Sequence, residues 1–119
     1  MLPSLGFEGT AKVINKGVDV TLLADESGAQ ALFEMSRSLV VCGYSAAVVA
    51  VTELEPVDMR TVRYYEDTTP LLIFFDRDVA EAVIPHLQPD TKYCTMEYCT
   101  ASELMKMLPD LIRTAKTNG

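Results

Sequence analysis

The sequence predicts a single α/β domain spanning residues 1–119, with a mixed, open β-sheet packed by about three helices. Three observations carry that expectation. The runs at 45–52 and 71–75 are too short for free-standing helices, and their continuous apolar character calls for cover on both faces. Segments with apolar residues at helical spacing alternate with them, which implies crossover connections and parallel neighbours. Finally, 49% of the 119 residues are hydrophobic and 23% charged, a balance that supports a packed core and excludes disorder.

Residues 10–14 alternate weakly, Asn15, Lys16 and Gly17 supply turn residues with a glycine able to take positive φ, and 18–24 is rich in branched apolar residues. Together they predict a hairpin. Ala29, Leu32, Phe33, Ser36, Leu39 and Val40 then fall at helical spacing, predicting a helix over 26–42 with Ser27 and Gln30 as its capping box and Gly43 just past its end. The run 45–52 predicts a central strand. Thr61, Val62, Tyr64 and Tyr65 are strong strand formers, so 58–66 is expected to be a strand, with a helix placing Met59, Val62 and Tyr65 on one face as the competitor.

Leu71 to Phe75 predicts an interior strand, and Ala80, Val83, Ile84 and Leu87 a helix that Pro85 shortens or kinks near its end. Cys94, Met96 and Tyr98 alternate along a strand at 93–99. Thr100 and Glu103 form a capping box for a last helix with the stripe Leu104, Met105, Leu108, Leu111 and Ile112, kinked at Pro109. Residues 1–9 and 116–119 are expected to be loose termini. Two arrangements fit this order: a ferredoxin-like βαββαβ core with extra strands if 58–66 is a strand, or a flavodoxin-like doubly wound sheet if it is a helix.

Charge narrows the function classes. With 10 Lys+Arg against 17 Asp+Glu, the net charge of -7 leaves no broad basic face for a phosphate backbone, so nucleic acid is not an expected partner. No segment approaches the ~20 apolar residues of a membrane helix, so no membrane role is expected. Three cysteines, Cys42, Cys94 and Cys99, are too few for a disulfide scaffold, and the first residues lack a basic and apolar leader pattern; a cytoplasmic location is expected.

Candidate chemistry sits at the ends of the two most apolar strands. Asp25 and Glu26 follow one, Asp76 and Asp78 the other, and a doubly wound sheet gathers its C-terminal strand ends at one rim, where a hard cation accepts carboxylate oxygens. The same positions also suit helix N-terminal residues that satisfy free amides. Residues 18–100 resemble, in this acidic pattern, the receiver domains of response regulators. That resemblance implies Asp25 and Glu26 as the metal-binding pair, Asp76 as phosphoacceptor and Thr100 as switch hydroxyl. The chain departs from it in lacking the lysine after a further C-terminal strand and in its extra N-terminal hairpin. The run from Gly43 and Tyr44 through Val62, Arg63, Tyr64 and Tyr65 to Ala80, Val83 and Leu87 is similar to small βαββαβ binding domains of bacterial envelope proteins, the SPOR-like and LytR C-terminal domains.

Cys94 and Cys99 have an odd spacing that points them to opposite strand faces, and one histidine, His86, removes most zinc sites and multi-histidine mechanisms. The chain has no glycine-rich dinucleotide fingerprint, P-loop or nucleophile elbow, and no cofactor is expected. Tyr64, Tyr65, Tyr93, Tyr98, Met105 and Met107 are residue types enriched in interface cores. The expected function is a non-catalytic protein-interaction, regulatory or assembly module, a homodimer or docked on a protein partner through Met105, Met107 and Leu111. The alternative is a small divalent-cation-dependent enzyme or receiver-like phosphoacceptor using Asp25, Glu26 and Asp76, with Thr100.

Overall fold

The computed structural model describes residues 11–52 and 59–117, with side chains described as far as Thr114. The elements are β1 (Ala11–Asn15), β2 (Val20–Ala24), α1 (Glu26–Val41), β3 (Ala46–Val51), α2 (Met59–Thr68), β4 (Leu72–Phe74), α3 (Arg77–Val83), a 3-10 turn (Ile84–His86), β5 (Tyr93–Thr95) and α4 (Ala101–Thr117). α4 takes in the first two of the four C-terminal residues expected to be loose, while 1–9 lie outside the described residues.

The sheet has the order β1-β3-β2-β4-β5. β2 is parallel to both β3 and β4, β4 is parallel to β5, and β1 is antiparallel to β3. β3 and β4 are interior, as their unbroken apolar runs require, and every residue of β2 and β3 is buried. The four parallel strands run second, first, third, fourth across the sheet, which is the doubly wound arrangement. Its two faces carry separate cores. α1 and α4 cover Leu22, Val48, Ile73 and Phe75, whereas α2 and α3 cover Leu23, Val49, Leu72 and Phe74.

Three sequence expectations are corrected. The hairpin does not form, because β3 is inserted between its two arms. The chain from β1 to β2 passes beneath the start of β3, where the Asn15 side-chain amide donates to the Ala46 carbonyl at 2.9 Å and the Asp19 carboxylate accepts from the Ser45 amide at 2.8 Å. Gly17 is needed there for close approach, not for positive φ: a β-carbon would collide with the Ala46 and Ala47 backbone.

Residues 59–68 form a helix, the competitor reading of 58–66. Thr61, Val62 and Tyr65 fall on its buried face, and burial on that face outweighs the strand propensity of the β-branched and aromatic residues. Its end is fixed from both sides. Thr69 donates to the Tyr65 carbonyl at 2.8 Å and shares a buried 2.9 Å hydrogen bond with Thr21 of β2. The fully buried Glu66 carboxylate accepts from Arg63, from the Gln88 amide and from the Thr91 hydroxyl. Among the described residues the α-helices therefore number four, where about three were expected.

Ser27 and Gln30 do not cap α1. Asp25 does, accepting from the Gly28 amide at 2.8 Å, while Ser27 donates to the same carboxylate at 2.9 Å. At the other end Gly43, at φ 94°, closes a Schellman motif in which the Tyr44 amide bonds the Leu39 carbonyl and the Gly43 amide the Val40 carbonyl. α3 gives way at Ile84 to a 3-10 turn containing Pro85, as the proline requires, and α4 continues through Pro109.

Candidate functional site: the strand rim and the outer flank of α4

The chain leaves β2 toward β3 and leaves β4 toward β5, in opposite directions, so the crevice between their C-terminal ends is the topological switch point. Asp25 stands at one side of it and Asp76 at the other. Each is the N-cap of the helix that follows: Asp25 of α1, and Asp76 of α3, where it accepts from the Val79 amide at 3.0 Å. Asp78 lies in the first turn of α3, where its charge complements the helix dipole.

Tyr98, from the segment between β5 and α4, reaches into this crevice. Its ring packs on Phe75 with centroids 5.7 Å apart, and its hydroxyl lies over Gly28, in the space a β-carbon there would take. Burial pushes the Tyr98 phenol up from its ordinary pKa, and the Asp25 and Asp76 carboxylates push it further. The other two acidic-site expectations point elsewhere. Glu26 pairs with Lys12 of β1 at 3.1 Å, and Thr100 caps α4, accepting from the Glu103 amide at 3.1 Å while Glu103 accepts from the Thr100 amide at 2.9 Å. The Thr100 amide, the Thr100 hydroxyl, which donates to the same carboxylate at 3.2 Å, and Lys106 hold the Glu103 carboxyl below its ordinary pKa. Among the described residues no group of three histidine, cysteine or acidic side chains is placed to hold a metal ion.

Tyr98 is the rim residue that sequence reasoning missed. Its alternation with Cys94 and Met96 suggested a strand position, but β5 ends at Thr95 and the chain then turns across the rim. The available signal was Gly28, a poor helix former in the first turn of α1, which marks a close approach.

On α4, Leu104 and Leu108 are fully buried and form the ridge packed into the core. Met107 and Leu111, one turn apart, share one flank of that ridge at 100° per residue, and Met105 lies on the opposite flank. Met107 is 39% exposed, while Met105 and Leu111 are half-buried. The exposed faces of this helix carry Glu103 and Asp110 against Lys106 and Arg113, a balanced set.

Cys42 is exposed, and burial raises the thiols of Cys94 and Cys99 above the ordinary value, with Glu103 adding to the effect at Cys99. His86 closes the 3-10 turn and its carbonyl accepts from Arg63 at 3.1 Å. A groove of about 1090 Å³ runs between α3 with its 3-10 turn and the chain from Thr95 to Tyr98.

No protein-family model matches the sequence, and no curated protein is similar to it in sequence. The fold does have solved counterparts. The chain is similar to a split gene transketolase in an inactive beta4 tetramer, with a TM-score of 0.63 at 19% identity over 99% of this chain and 44% of that one. It is also similar to a 2-oxoglutarate:ferredoxin oxidoreductase from Magnetococcus marinus, with a TM-score of 0.66 at 14% identity over 91% of this chain and 20% of that one. The chain thus spans less than half the length of either, and the likeness establishes a shared α/β fold.

Proposed function

We propose that this chain is a non-catalytic protein-interaction module, regulatory or assembly in role, that associates through the outer flank of α4. The observation that carries the reading is Tyr98. The crevice where doubly wound sheets hold their ligands is crossed by the protein's own Tyr98, 46% exposed with its hydroxyl standing over Gly28, and both flanking carboxylates are engaged as helix caps. Met107 and Leu111 give α4 an apolar strip beside balanced charges, a composition compatible with pairing against a second copy. The split gene transketolase of similar fold is described as a tetramer, and a second copy is accordingly the first partner to test. A cytoplasmic location belongs to the same proposal; among the described residues no helix is long and apolar enough to cross a membrane.

The experiment is Met107→Lys, which places a charge on the strip without touching the buried ridge. Association weakens while the melting temperature holds. A variant that associates like the unaltered chain would remove α4 from the reading.

A divalent-cation-dependent enzyme or receiver-like phosphoacceptor using Asp25, Glu26 and Asp76 is the second reading. One observation favours it: Asp25 and Asp76 stand on the two sides of the switch-point crevice, just past the C-terminal ends of the neighbouring strands β2 and β4.

A further inference from the structure

β5 is the last strand of the sheet, and its two sides are treated differently. Cys94 and Met96 pack on the core beneath α1 and α4, whereas on the α3 side Tyr93 and Thr95 are exposed. Among the described residues its backbone is used on one side only. Lys92 gives its carbonyl to the Leu72 amide at 3.1 Å and Met96 gives its amide to the Phe74 carbonyl at 3.0 Å. By the period of two, Tyr93 and Thr95 turn their amides and carbonyls away from β4, toward the outer edge.

The groove lies along this edge. Phe74, Ile84 and Pro85 give it apolar walls, and Tyr93 stacks edge-on against Phe74 at 6.2 Å. Its charged lining is Asp76, Glu81 and Glu97 against Arg77, and Arg77 already lies 3.4 Å from Glu81.

We infer that the β5 edge and its groove bind an extended, basic segment of a partner protein by strand addition. The edge supplies main-chain donors and acceptors at Tyr93 and Thr95, the groove takes alternate apolar side chains, and the acidic rim selects lysine or arginine between them. The acidic rim disfavours a second copy at this edge. None of the groove residues lies on α4, so Glu97→Lys tests this inference and Met107→Lys the association through α4 separately.

The test is hydrogen exchange read by NMR on the full chain, titrated with a short synthetic peptide alternating valine and lysine. At about ten times the dissociation constant, the Tyr93 and Thr95 amides exchange about tenfold more slowly by mass action. A valine and glutamate peptide of equal length binds more weakly. Glu97→Lys, at an exposed position, weakens the valine and lysine peptide by roughly two- to fivefold with an unchanged melting temperature. Thr95→Pro removes an outward amide from an edge position that tolerates proline, and reduces binding further. No added protection at millimolar peptide would overturn the inference, as would equal binding of the two peptides. Protection at these amides that grows with protein concentration alone would assign the edge to a second copy and overturn it as well.

Discussion

The Tyr98 hydroxyl occupies the position where a side chain on Gly28 would begin, so the first turn of α1 and the segment before α4 are fitted to each other across the strand rim. Elsewhere in a helix, replacing glycine by alanine stabilises by about 0.5–1 kcal/mol. Here the sign depends on Tyr98. Gly28→Ala is expected to give no gain, or a loss, in the unaltered chain, and to recover the ordinary gain when combined with Tyr98→Ala. Denaturant melts of the two single variants and the double variant measure this coupling. Equal effects of Gly28→Ala in both backgrounds would show that Tyr98 does not occupy the crevice.

Ile73 lies in β4 with no exposed surface, between α1 and α4 on one face and flanked by β2 and β5. Ile73→Ala is expected to cost about 2–5 kcal/mol. A denaturant melt showing less than about half a kcal/mol would be incompatible with an interior strand.

The capping box of α4 gives a pH signature. The pKa of Glu103 is lowered in the folded chain by the Thr100 amide and hydroxyl, so its contribution is present above the unfolded carboxylate pKa and is lost as pH falls through the folded value. Stability measured from neutral pH downward should therefore decline through the acid range, and the Glu103→Gln variant should decline less. Parallel curves for the two proteins would contradict the capping assignment.

With Asp76 capping α3, incubation with a small phosphodonor and magnesium should add no phosphoryl group, read by intact mass. A gain in mass that disappears in Asp76→Asn would establish the phosphoacceptor reading in place of the binding module.

Much of this fold was legible in the sequence for definite physical reasons. Val48 and Ile73 lie in runs too apolar and too short for anything but covered strands, and Pro85 ends α3 as its missing amide demands. What escaped was non-local. Nothing near Asn15 and Gly17 shows that a distant strand will slide between the arms of the hairpin. Tyr64 and Tyr65 have strand propensity, and only the sheet beneath Val62 and Tyr65 decides for the helix. At the rim, Asp25 and Asp76 were found as a pair, while Glu26 and Thr100 were drawn away by Lys12 and Glu103, partners whose placement depends on the completed fold or on the cap of α4.

The proposed association through α4 is read by light scattering across a concentration series. The mass is expected to rise above the 13.1 kDa of one chain as concentration increases, and a Met107→Lys variant to stay near that value while remaining folded. An unaltered chain that holds at 13.1 kDa into the high micromolar range would contradict self-association through this helix.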